Sequence, residues 1–179
     1  SIIEQIDAAL ENGRLEEAAA LLEGIDTASL TPHDKRTVQY ISARIQSGPT
    51  DLRKVGVLLP LSGRFAVVGN QVKEALLYGF DPNGNSAFDL VFIDTGETAE
   101  TAKAAVEQLV LRDRVVALVG PLRSDYSEIV VETANALRTP ILALTKNTGV
   151  TQDHPFSFQA MVNAEQYADA LAEYVMTQK

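Results

Sequence analysis

The chain has 179 residues, 46% hydrophobic and 22% charged, enough for one good core or one domain with a small appendage. Its net charge of −9 leaves no basic face for nucleic acid and disfavours anionic membrane surfaces, and no stretch is long and apolar enough to span a bilayer. Cysteine is absent, which excludes disulfides and thiolate metal sites and suits an oxidising envelope compartment. The opening SIIEQIDAAL lacks the basic and apolar regions of a signal peptide, so the expectation is a cytoplasmic protein or a mature exported one.

Residues 1–48 are helical in pattern. Ile3, Ile6, Ala9 and Leu10 mark one face, and Asn12-Gly13 breaks the first helix. A second helix spans Leu15 to Leu22 and stops at Gly24. Thr31-Pro32 supplies an N-cap and a first-turn proline for a third, whose stripe is Val38, Ile41 and Ile45. The Gly, Pro and polar residues of Ser47 to Arg53 (SGPTDLR) then mark a linker, bounded at 49–53, to a second unit, 54–179. That unit opens with an apolar run, Val55 to Leu59, stopped by Pro60, and a helical pattern follows from about Asn70. Further strands are expected at Phe88 to Ile93, Val115 to Val119 and Ile141 to Leu144, with a short fifth at Phe156 to Ala160. The intervening helices start at a Thr98 cap and at about Ser124, and the last runs from Ala164 to Met176. Alternation of this kind predicts an α/β fold: an open, doubly wound parallel sheet covered on both faces, preceded by a small all-α segment. Ligands of such sheets sit at the carboxyl ends of strands, so Pro60 to Gly69 is an expected site wall.

The chain carries neither GxGxxG after the first strand nor GxxxxGK[ST], and it has no GxSxG elbow. His33 and His154 are isolated, each beside a proline. No enzyme, no cofactor and no metal site is therefore expected. What remains is a ring of small polar residues at strand ends: Ser62, Ser124, Ser127, Thr145 and Thr148. Ser124 has two readings, a helix N-cap (with Asp125–Glu128 as a competing cap) or part of an anion site at a helix start.

The segment AALENGRLEEAAALLEGI resembles a tetratricopeptide repeat, which implies packing or partner contact for the helices. KVGVLLPLSGRFAVVGNQVKEALLYGF resembles the opening of type I periplasmic binding proteins of the leucine/isoleucine/valine-binding kind. VVALVGPLRSDYSEIVVETANALRTPILALTKNTGVT and FSFQAMVNAEQYADALAEYV resemble their later blocks, so the likeness runs from Lys54 to the end. It implies the first of two lobes that close over an amino acid or other small polar ligand, with the second lobe missing from the chain. By the same resemblance the ligand carboxylate is held by Ser124 in GPLRS and Thr148 in TKNT, and the loop Ser62 to Phe65 borders the cleft. Lys146 and Asn147 stand where many members have small residues before the threonine, and Arg123-Ser124-Asp125 is unusually charged. Lys146 either reaches Asp125 and fills the cleft, favours an acidic ligand, or is a solvated loop charge. The implied function is a non-catalytic periplasmic module binding a branched-chain or other amino acid, with a membrane transporter as partner, for uptake or sensing. The helical segment together with LLPLSG also resembles lipoprotein activators of penicillin-binding proteins, which implies outer-membrane attachment and a cell-wall synthase as partner.

Overall fold

The computed structural model describes residues 2–28, 30–80, 86–147, 149–161 and 164–177. Three helices come first: α1 (Ile2–Glu11), α2 (Leu15–Glu23) and α3 (Pro32–Gln46). Thr31 caps α3 as its sequence demands, its side chain accepting from the Asp34 N–H with Pro32 in the first turn. Ile6, Ala9, Ala18 and Ile41 close a small core of their own among the three helices. This core is tied to the rest of the molecule through α3. The Tyr40 hydroxyl donates to Glu107 at 3.2 Å, and the Arg44 guanidinium reaches Thr50 and the Val110 carbonyl.

The α/β unit follows as β1 (Asp51–Leu59), a 3₁₀ turn (Gly63–Phe65), α4 (Ala66–Phe80), β2 (Asp89–Asp94) and α5 (Ala99–Leu111). It continues with β3 (Val115–Val119), α6 (Ser127–Ala136), β4 (Ile141–Ala143), β5 (Ser157–Gln159) and α7 (Ala164–Thr177). The first strand begins ahead of its apolar run: Asp51 already pairs with Val115, so residues 51–53 lie in the sheet. Helix α4 likewise begins at Ala66 rather than Asn70, directly from the 3₁₀ turn.

All the sheet pairings are parallel, and the strand order is β2-β1-β3-β4-β5. The alternation of β1 explains the two layers. Val55, Val57 and Leu59 pack with Val72 and Leu76 of α4, while Leu58 faces the larger core made with α5 and α6. Val106, Leu109 and Val110 of α5 and Val130, Val131 and Ala134 of α6 are buried there. Capping sets where α5 starts: the Thr98 side chain accepts from the Thr101 N–H, and Thr101 returns a bond to Thr98. The cover is uneven, because on the α4 side Leu142 of β4 and Phe158 of the edge strand β5 are 40% and 58% exposed. Helix α7 also shows Leu171, Tyr174 and Val175 to solvent.

With this strand order the chain leaves β1 to one side and β3 to the other. A crevice therefore opens between the loops at the carboxyl ends of β1 and β3.

Candidate functional site

Two glycines bring those loops together. Gly69, in the first turns of α4, is seated so closely on the β1 loop that a Cβ would stand 1.9 Å from the Pro60 carbonyl oxygen. Gly120, at the end of β3, has φ +114° and packs on β1, where a Cβ would meet the Leu58 carbonyl oxygen at 2.4 Å. Between the two loops lies an open cleft of about 400 Å³ lined by Pro60, Phe65, Val68, Leu122, Arg123, Ser124 and Asp125.

A hydroxyl network adjoins the cleft through Ser124. The Ser124 and Thr145 hydroxyls lie 3.0 Å apart, and Thr145 Oγ1 also accepts from the Asn147 N–H at 3.1 Å. Asn147 Nδ2 donates to Ser127 Oγ, whose own hydroxyl donates to the Ser124 carbonyl. Gln159 at the end of β5 donates to the Thr145 carbonyl. Thr145 is fully buried with two partners on its hydroxyl, whereas Ser124 is exposed and its hydroxyl keeps capacity for another partner. Ser124 is not a helix cap. Helix α6 starts at Ser127 with Tyr126 in the N-cap position and no side-chain cap bond, because the Ser124 hydroxyl is turned to Thr145.

Arg123 is the residue whose setting the sequence did not reveal. It is only 9% exposed, and its guanidinium lies 4.3 Å from the Phe65 ring centroid and 5.0 Å from that of Tyr126. Nε donates to Asp125 at 3.0 Å and Nη2 to the other carboxylate oxygen, while Nη1 is buried without a hydrogen-bond partner. Asp125 therefore engages Arg123 and not Lys146. Lys146 is exposed, with no carboxylate of the described residues within ion-pair distance. The Tyr126 hydroxyl lies 2.6 Å from Thr95 Oγ1, which ties the β3 loop to the end of β2. Burial pushes the Tyr126 phenol up from its ordinary value, against the opposing bond from Thr95.

Ser62 sits on the other flank. It is exposed, and its side chain bonds the Asp94 carboxylate, which also accepts from the Leu61 and Gly96 N–H groups at 2.9 and 3.0 Å. Burial alone would raise the Asp94 carboxyl, but the bonds from the Ser62 side chain and the Gly96, Leu61 and Ser62 amides hold it below its ordinary value. Of the expected residues, then, Phe65 and Ser124 share the cleft wall, and Asn147 joins through the hydroxyl network. Ser62 is turned toward β2, and Lys146 stands in solvent. Thr148 lies outside the described residues.

A family model described as periplasmic binding protein matches residues 53–179. The chain belongs to this family. A leucine-binding protein from Thermotoga maritima MSB8 superposes with a TM-score of 0.60 at 22% identity, over 69% of this chain and 36% of that one. A solute-binding protein of an ABC transporter from Rhodopseudomonas palustris HaA2, solved with p-hydroxybenzoic acid, superposes with a TM-score of 0.58 at 19% identity. That match covers 72% of this chain and 36% of that one. At these identities the likeness is one of fold: the parallel sheet corresponds to one lobe of a type I periplasmic binding protein. An uncharacterized protein of Rickettsia prowazekii (strain Madrid E) is 29% identical over 105 residues, which are 59% of this chain and 28% of that protein. The chain thus spans about a third of the length of the relatives it matches. Among the described residues no helix is long and apolar enough to cross a membrane.

Proposed function

We propose that this chain is a non-catalytic ligand-binding lobe of the bacterial envelope, taking a small carboxylate-bearing solute such as an amino acid, for uptake through a membrane transporter or for sensing. The observation that carries this reading is the Ser124–Thr145–Asn147 network, set at the carboxyl ends of β3 and β4 beside the open cleft. With the Thr145 hydroxyl donating to Ser124 Oγ, the Ser124 O–H is left to donate to a ligand carboxylate. Matched solute-binding proteins include structures with isoleucine and with p-hydroxybenzoic acid, both carboxylates, which supports the class rather than one ligand. A second lobe, closing over the ligand as in the family, also fits the bare apolar stripe of α7.

The test is an amide NMR titration of this chain with leucine, isoleucine, glutamate and p-hydroxybenzoate at millimolar concentrations. Shifts clustered at Leu122, Ser124, Thr145 and Asn147 support the reading, and weak affinity is expected because one face of the ligand stays in water. Stationary amides there, for the whole panel and with the fold intact, refute it. A second reading is favoured by helices α1–α3, which precede the matched residues and pack through α3 on the lobe. In this reading the helices, tetratricopeptide-like in sequence, contact a cell-wall synthase, as in outer-membrane activators of penicillin-binding proteins. Retention of such a synthase by the chain, lost when α1–α3 are substituted, would support it.

A further inference from the structure

We infer that Arg123 sets the chemical class of the ligand: the cleft takes a molecule with two acidic groups, one at Ser124 and a second at the Arg123 guanidinium. The inference rests on the carboxylate reading of the cleft given above. Both residues line the same cleft. A guanidinium that is nine-tenths buried has lost most of its water, and each of its N–H groups then requires a partner. Phe65 and Tyr126 lie against the guanidinium, and Asp125 takes one edge through Nε and Nη2. Nη1 is left buried and unpartnered, on a side chain that forms part of the cleft wall.

One neighbouring charge points the same way. Arg64 lies 4.8 Å from the centroid of the same Phe65 ring. Its guanidinium has no carboxylate of the described residues within ion-pair distance, although Glu97 accepts from its backbone N–H at 3.3 Å. The Asp125 carboxylate that neutralises Arg123 is itself 56% exposed, so it can turn into water when a ligand acid replaces it. Phe65 belongs to the 3₁₀ turn Gly63–Phe65 and not to a strand, and a ligand acid reaching Nη1 requires that ring to move aside. A guanidinium with an unpartnered nitrogen is matched by a carboxylate better than by an uncharged amide, which gives the site a way to choose between isosteric ligands.

The chain is titrated with two isosteric pairs, glutamate against glutamine and aspartate against asparagine, following the amides of Leu122, Ser124 and Thr145. One acid should bind about tenfold or more tightly than its amide, the size expected for a hydrogen bond to a charged group. Arg123→Met should bring that ratio to near one. Asp125→Asn, which removes the competing carboxylate from an exposed position, should widen it. A ratio near one for both pairs in the unaltered chain overturns the inference, as does a ratio that survives Arg123→Met or fails to widen in Asp125→Asn. The last variant decides the matter if Arg123→Met does not fold. If acids and amides move the same amides equally, only the role of Arg123 falls. If none of the four moves them, the carboxylate reading of the cleft falls as well.

Discussion

Helix α4 holds two glycines whose replacement by alanine should act in opposite directions. In an exposed helix interior alanine is favoured over glycine by about 0.5–1 kcal/mol, because glycine loses more backbone freedom on folding. At Gly79, exposed and one residue from the end of α4, nothing lies within 4 Å of where the Cβ would be, so part of that gain should appear. At Gly69 the same methyl would stand 1.9 Å from the Pro60 carbonyl oxygen and 2.8 Å from its carbon, both main-chain atoms that no rotamer change can move. Overpacking typically costs about 1–3 kcal/mol, and a backbone obstruction belongs at the upper end. Setting ~3 kcal/mol against a propensity gain of ~1 leaves a net loss of roughly 2 kcal/mol. For a chain of this size that lowers Tm by about 4–8 °C, while Gly79→Ala raises it by about 1–4 °C. Urea unfolding followed by far-UV circular dichroism reads both variants, with unchanged m-values as the check that only stability moved. A Gly69→Ala chain as stable as the parent would show that α4 is not seated on the β1 loop in this way, and a Gly79→Ala chain less stable would refute the propensity gain at the helix end. Because Pro60 lines the cleft, Gly69→Ala should also alter the amide shifts of Leu122 and Ser124 in the absence of any ligand.

Thr145→Val removes a buried hydroxyl at nearly constant volume and leaves the Asn147 N–H and the Ser124 hydroxyl without their partner. It should cost about 1–3 kcal/mol in urea unfolding, and a neutral result would mean that the network is replaced by water. Asp94 governs part of the acid limb. Its carboxyl is held below the ordinary value in the folded chain, so the unfolded chain binds the proton more tightly. The stability it contributes is complete above the ordinary carboxylate range and is lost as pH falls through that range toward the folded value. Urea midpoints measured from about pH 6 down to about pH 3 should therefore fall less steeply in Asp94→Asn than in the parent. Parallel curves would remove Asp94 from the account.

The parallel sheet was legible because each strand announces itself by an apolar run closed with glycine, proline or polar residues, as in Val55 to Leu59 before Pro60 and Val115 to Val119 before Gly120-Pro121. The Thr31 and Thr98 caps were legible for the same local reason. The start of α6 was not. Ser124 has the right residue type for a cap, but its hydroxyl finds Thr145, 21 positions along the chain, and no local pattern carries that competition. The first residues of β1 were not legible because Asp51 and Arg53 are charged and Leu52 is 72% exposed at the sheet end, where pairing of Asp51 with Val115 decides the matter. Arg123 was visible as an unusual charge among cleft residues, yet its burial depends on Phe65 from the β1 loop and Tyr126 from its own loop. Arginine in a loop reads as solvated until those rings are placed against it.

The uneven cover of the sheet has a bearing on how the isolated chain behaves in solution. Among the described residues β5 is a short, unpaired edge, and beside it Phe158 and Leu142 present bare apolar surface on the face that α4 covers only in part. An open edge flanked by apolar side chains is a template for another strand, and the net charge of −9 is the force that keeps two copies apart. Self-association should therefore be a matter of ionic strength: dispersed in dilute buffer, and increasingly clustered as salt shortens the reach of that repulsion while leaving the apolar contact intact.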